Sequence, residues 1–165
     1  MFKYIVAAML LLTSLVSASA EAEQYPFFGM NVAHSTIDTD FGNEKSTYFG
    51  LKYGKQSLDW RTTFSYDYSP DYSAFSVEID KMLLDGLFGT SKIRPYFGLS
   101  VGTLKLNYKK KNIDKNGYKY GAKAGFVIYA TDHIDVDISY HYSKVKNIPN
   151  VKKTQGISLS VHYFV

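Results

Sequence analysis

Beyond its first twenty residues the chain alternates apolar and polar positions with a period of two. Residues 134–143 show it most plainly. Ile134, Val136, Ile138, Tyr140 and Tyr142 fall on one face of an extended chain, and Asp135, Asp137, Ser139, His141 and Ser143 on the other. The final segment repeats it, with Ile157, Leu159, Val161, Tyr163 and Val165 against Ser158, Ser160, His162 and Phe164. Such alternation is the mark of a strand with two unlike faces. The same reading along the chain predicts eight strands, at about Phe27–Ser35, Thr47–Lys55, Leu58–Tyr68, Ala74–Met82, Arg94–Leu106, Gly117–Tyr129, Ile134–Ser143 and Gln155–Val165. Segments of about ten residues suit tilted strands that cross a bilayer, and an even number lets both ends lie on one side. The expected fold is all-β, an eight-stranded antiparallel transmembrane up-and-down β-barrel.

The connections fall into two classes. Gln56-Ser57, Leu83 to Ile93 and Ala130 to His133 read as turns, the second of them long for its class. Thr36 to Ser46, Ser69 to Ser73, Asn107 to Asn116 and Lys144 to Thr154 read as polar loops. Short turns face the periplasm in such barrels and longer loops face outward, which places both chain ends in the periplasm. Aromatic residues give an independent test. Tyr66, Tyr68, Tyr118, Tyr120, Tyr140 and Tyr142 fall at the outer strand ends, and Tyr53, Trp60, Phe97 and Tyr163 at the inner ends, all on the apolar face. Two belts of amphipathic rings fit two membrane–water interfaces, whereas a soluble β-sandwich has no reason to collect them there.

Composition narrows the compartment and the chemistry. Lys3, the apolar run Ile5 to Leu12 and Ala18-Ser19-Ala20 before Glu21 form a secretory signal peptide, so the expected domains are a cleaved signal at 1–20 and a barrel at 21–165. Loss of Lys3 takes the formal charge from +4 to +3. The absence of cysteine and the scatter of four histidines argue against a metal site, and no cofactor is expected. Export makes nucleic acid an improbable partner.

Strand parity turns Lys52, Arg61, Arg94, Lys119 and Lys123 inward, together with Asp67, Glu78, Asp80, Asp135 and Asp137. A lumen with as many positive as negative charges is unlike the apolar cavity of a lipocalin, and eight strands leave only enough width for side chains to fill. An ion-pair network is therefore expected among Lys52, Arg61, Glu78, Asp80, Lys123, Asp135, Asp137 and His162. A tight turn near Gln56 would set Lys52 beside Arg61, and the next hairpin would bring Arg61 to Glu78 and Asp80. A symmetric loop at Lys144 to Thr154 would set His162 level with Asp137.

Arg94-Pro95-Tyr96-Phe97-Gly98-Leu99-Ser100-Val101-Gly102, Tyr120-Gly121-Ala122-Lys123-Ala124-Gly125-Phe126 and the Asp137-to-Tyr142 run resemble the OmpA/OmpX/opacity-type outer-membrane β-barrel domain. The resemblance covers nearly the whole mature chain. It implies the Gram-negative outer membrane, contact with lipid and lipopolysaccharide, and insertion by the barrel-assembly machinery through an aromatic chain end; here Phe164 is penultimate. The given sequence ends with the predicted barrel, so the peptidoglycan-binding domain of full OmpA proteins is not expected. Members of the family include structural anchors, adhesins, serum-resistance factors and weak porins. The expected function is structural and surface-interactive: envelope integrity, lipopolysaccharide contact and adhesion to a host or envelope partner. A small porin-like channel is the alternative.

One enzymatic reading also arises. His141-Tyr142-Ser143 with Gln155 resembles the catalytic His-x-Ser and later Glu of lipid A 3-O-deacylase, but Gln155 stands where a carboxylate must hold the imidazole. Parity also turns His141 and Ser143 away from lipid, so no enzyme is expected. Lysines gather instead at two outer loops. Lys109, Lys110, Lys111 and Lys115 against Asp114 give +3, and Lys144, Lys146, Lys152 and Lys153 give +4. Such extracellular basic loops suit lipopolysaccharide phosphates or another polyanion, and equally a plain hydrated surface.

Overall fold

The computed structural model describes residues 23–83, 90, 92–108 and 113–165. Eight strands run in order: β1 (Tyr25–Thr39), β2 (Gly42–Gln56), β3 (Trp60–Ser69), β4 (Tyr72–Met82), β5 (Ile93–Tyr108), β6 (Ile113–Tyr129), β7 (Ile134–Lys146) and β8 (Val151–Phe164). Each pairs antiparallel with its neighbours, and β8 pairs with β1 to close the barrel. Closure removes every edge within the bilayer and so satisfies the backbone where no water can. Both described ends meet at one end of the barrel, where the Val165 amide donates to the Pro26 carbonyl.

The hydrogen-bonded register fixes the tilt. From Phe27 the paired residues lead through Gly54, Thr63, Glu78, Ser100, Gly121, Ser143 and Thr154 back to β1 at Ile37, ten residues further along. A shear of ten over eight strands tilts them by roughly 40° from the axis, with ~3.3 Å per residue and ~4.8 Å between strands.

Alternation places the apolar set on the outside. On β7, Ile138, Tyr140 and Tyr142 are exposed while Asp135, Asp137, Ser139 and Ser143 are buried. Phe28, Met30, Phe49, Leu51, Leu99, Leu159 and Val161 join the same exposed wall. From Ile134 to Tyr142 that wall is about 20 Å tall, close to the apolar band of such barrels. Tyr53, Trp60, Phe97 and Tyr163 rim it at the end holding the termini, and Tyr66, Tyr68, Tyr120, Tyr140 and Tyr142 lie toward the far end. The Lys81 ammonium sits over the Trp60 ring at 4.9 Å.

The strands extend further than the sequence pattern suggests. Thr36 to Ser46 is not a loop: β1 and β2 continue through it to a two-residue turn at Asp40-Phe41, with Gly42 at φ 116°. Lys144 to Thr154 shrinks to Asn147–Asn150, where Asn147 and Asn150 take the left-handed conformation that asparagine tolerates. Ser69 to Ser73 shrinks to Pro70-Asp71. Beyond the bilayer a strand needs no apolar outer face, so its hydrophobic pattern stops before its hydrogen bonds do. The expected signal peptide at 1–20, and most of the turn from Leu83 to Ile93, lie outside the described residues.

Candidate functional site

The lumen is built in layers. Around its middle, Arg61 on β3 donates from Nε to Asp80 Oδ2 at 3.0 Å and from Nη2 to Asp137 Oδ2 at 2.5 Å. Its guanidinium also stacks over the Tyr96 ring, 4.6 Å from the centroid. The Tyr96 hydroxyl donates to Asp137 at 2.8 Å. Lys123 on β6 reaches Glu78 at 2.5 Å and Asp80 at 3.6 Å. Lys52 donates to Ser160 at 2.9 Å, and His162 pairs with Asp135 through Nδ1 at 2.7 Å. Arg61, Asp80, Asp135, Asp137 and His162 are at most 1% exposed. Charges buried so deeply persist only when paired and hydrogen-bonded.

The partners differ from the sequence expectation in three places. Arg61 joins Asp80 and Asp137 rather than Glu78, which belongs to Lys123. Lys52 pairs across the ladder with Ser65, not Arg61, because the turn is Ser57–Asp59 and sets Gln56 opposite Arg61. His162 meets Asp135 rather than Asp137, since the β7–β8 turn pairs Asp137 with Ser160. The shear explains the long reach. Strong tilt carries side chains across the lumen to strands that are not neighbours, as from β3 to β7.

Glycine makes room for the network. Gly98 lies opposite Asp80, and a Cβ there would overlap Asp80 Oδ1 and lie 2.7 Å from the Ile79 carbonyl. Gly50 does the same for the bond from Asn31 to Asp67, which measures 3.1 Å.

Apolar layers cap the ionic one, a feature that the sequence reading of an ionic lumen missed. At the end away from the termini, Ala33, Ile37, Tyr48, Tyr72, Ala74, Leu104, Leu106, Val145, Ile148 and Val151 form a buried cluster. Near the termini Met82, Tyr96 and Val127 pack with Tyr129. Past the membrane the barrel turns inside out: its outer face meets water and becomes polar, so its interior becomes apolar. Between the layers a cavity of about 30 Å³, lined by Lys52, Asp67, Glu78, Lys119, Lys123 and His141 among others, has room for a water or two.

His141 and Ser143 also face this lumen. His141 Nε2 lies 2.9 Å from Ser35 Oγ and 3.4 Å from the Tyr48 hydroxyl. Gln155 pairs with Tyr142 in the ladder and, by alternation, takes the opposite face of the wall. The three residues do not converge.

The lysines of the far rim separate. Lys152 is paired with Asp40 at 2.7 Å and Lys153 with Asp38 at 3.7 Å. Lys144, Lys146 and Lys115 are exposed. Lys109, Lys110 and Lys111 lie outside the described residues. Among the described residues no cluster of histidine and acidic side chains has metal-binding geometry.

A closed eight-stranded barrel with an apolar wall, aromatic girdles and a lumen filled by ion pairs defines an outer-membrane barrel. The outer membrane protein beta-barrel domain family matches residues 5–163, and the chain belongs to that family. No curated protein matches the sequence. Among solved structures, Neisserial surface protein A superposes with a TM-score of 0.64 at 20% identity, over 85% of this chain and 97% of that one. OprH from P. aeruginosa gives 0.62 at 15% identity, over 86% and 99%. Ail of Yersinia pestis, solved in complex with the heparin analogue sucrose octasulfate, gives 0.56 at 18% identity, over 87% and 99%. At these identities the likeness is one of fold.

Proposed function

We propose that this protein is a filled outer-membrane barrel that works through its surface, as an envelope-stabilising, lipopolysaccharide-contacting and adhesive element, without catalysis. Residues 1–20 direct export and are removed, the barrel-assembly machinery inserts the rest, and the termini face the periplasm. The observation that carries the reading is the lumen. Arg61, Asp80, Asp137, Lys123 and Glu78 fill its middle, and an apolar cluster caps its far end. A barrel whose described lumen is filled in this way offers its wall and rim as its working surfaces.

The rim favours anionic partners. Lys115, Lys144 and Lys146 are exposed there, and Lys109, Lys110 and Lys111 lie in the adjoining connection. Ail, a barrel of the same fold, has been solved with a sulfated polyanion. Refolded protein is expected to bind immobilised lipopolysaccharide or heparin with an affinity that falls steeply as salt shortens the Debye length from ~10 Å at 0.1 M toward ~3 Å at 1 M. Affinity that ignores salt would assign the contact to the apolar wall instead.

A further inference from the structure

Four strands change character at one level of the outer wall. Following the outward residues away from the termini, β2 runs Tyr53, Leu51, Phe49, Thr47 and then Lys45. In the same way β5 runs Phe97, Leu99, Val101, Thr103 and Lys105, β7 runs Ile138, Tyr140, Tyr142, Lys144 and Lys146, and β8 runs Leu159, Ile157, Gln155 and Lys153. The lysines are densest on β7 and β8. There the ladder sets Tyr120 opposite Lys144, Lys144 opposite Lys153, and Tyr118 opposite Lys146.

From this arrangement we infer that Lys144, Lys146 and Lys153 form a binding site on the barrel wall for the phosphate groups of an outer-leaflet glycolipid. The inference rests on the surface-interaction reading above and assigns it a place. Like charges directly opposed across a β-ladder destabilise it. Lys144 and Lys153 are such a pair, and Asp38, paired with Lys153 on its other side at 3.7 Å, offsets only one of the charges. Lys144 and Lys146 have no acidic partner within salt-bridge distance among the described residues. An incoming dianion relieves the repulsion that the strands alone leave in place.

Depth selects the ligand. The apolar face ends at Tyr142, and Lys144 stands two residues further, about 5 Å along the axis. Lipid chains lying against Ile138 and Tyr140 would carry their headgroups to that level, where aromatic rings and snorkelling lysines meet an interface. Lys153 also lies over the Tyr142 ring at 5.7 Å, which holds its ammonium on the wall. Lys152, by contrast, is bound to Asp40 at the turn and takes no part. A soluble polyanion has no reason to prefer a level set by the bilayer, so the committed occupant is a phosphorylated lipid.

The test uses the refolded full barrel in detergent, titrated with bisphosphorylated lipid A, dephosphorylated lipid A and soluble sucrose octasulfate. Three proteins are compared: wild type, the wall variant K144Q/K146Q/K153Q, and a rim variant with Lys109, Lys110, Lys111 and Lys115 changed to Gln. Each lysine at an anionic lipid surface contributes about fivefold, so the wall variant is expected to lose on the order of a hundredfold for bisphosphorylated lipid A. Its lipid-free thermal midpoint should stay level or rise, because the opposed pair is gone. The rim variant should keep its lipid A affinity. Equal binding of phosphorylated and dephosphorylated lipid A, or loss confined to the rim variant, overturns the wall site while leaving a surface role intact. A wall variant that loses sucrose octasulfate as severely as lipid A overturns the lipid assignment. Failure of the wild type to bind any of the three overturns both readings.

Discussion

Arg61→Ala removes the guanidinium that bridges Asp80 and Asp137, two fully buried carboxylates on different strands. In the intact barrel Arg61 holds Asp80 at 3.0 Å and Asp137 at 2.5 Å, and is itself 1% exposed. After truncation, Asp80 keeps Lys123 at 3.6 Å and Asp137 keeps the Tyr96 hydroxyl. The ten inward charges become four positive and five negative, and both carboxylates face a hole too poorly hydrated to screen them. Loss of one partner from a buried pair costs about 3–5 kcal/mol. With a urea slope of about 2 kcal/mol per molar, the unfolding midpoint should fall by roughly 2 M. Trp60, the chain's single tryptophan and the neighbour of Arg61, lies half-exposed on the outer wall and reports the transition by fluorescence in detergent. Arg61→Lys should recover only part of the loss, because an ammonium cannot fork to two carboxylates on different strands. Lys45→Ala, on the exposed rim, sets the baseline. If Arg61→Ala and Lys45→Ala shift the midpoint equally, Arg61 does not organise the lumen.

Two further outcomes follow from the same geometry. Gly98→Val drives side-chain atoms into Asp80 and the Ile79 carbonyl. It should cost about 3 kcal/mol and lower the refolded fraction seen by heat-modifiable gel mobility, whereas unchanged mobility and yield would show that Asp80 can swing aside. Trypsin added to intact cells should cut near Lys109 to Lys111 and spare the strands, and cleavage only after permeabilisation would invert the proposed orientation.

The bilayer made much of this legible. Within it, one face of every strand must be apolar, so parity alone turned Lys52, Arg61, Lys123, Glu78, Asp80 and Asp137 inward, where the structure also has them. It likewise put Trp60 and Tyr163 on the outer wall near one interface and Tyr66 and Tyr142 near the other. Past the membrane that constraint lapses. Thr36 to Ser46 reads as loop because its outward residues, Asp38, Asn43 and Lys45, are polar. The inward series Ser35, Ile37 and Thr39, all buried, still carried the period-two signal. The apolar cap on the lumen was visible in the same way at Leu104, Leu106 and Val145.

Pairing within the lumen was less legible. Parity gives the face of a residue but not its height, and height depends on turn lengths and shear. A turn centred two residues further along, at Ser57–Asp59 rather than Gln56-Ser57, shifts the partner of Lys52 by four, from Arg61 to Ser65. A ten-residue shear then lets Arg61 reach Asp137 on β7, seventy-six residues away, a contact that hairpin reasoning between adjacent strands does not generate. The separation of Lys144 and Lys146 from Lys152 likewise follows from which face each occupies beside a turn whose length the sequence left open.

Single-channel recording on refolded wild-type protein in planar bilayers distinguishes a filled lumen with a working surface from an open pore. The filled middle layer predicts no steady conductance above the bare membrane at physiological salt. Opening should appear only when that layer and the apolar cap beyond it are both broken, as in Arg61→Ala combined with Ile148→Gly. A stable, reproducible conductance from the intact protein would contradict a filled lumen and make the barrel a channel.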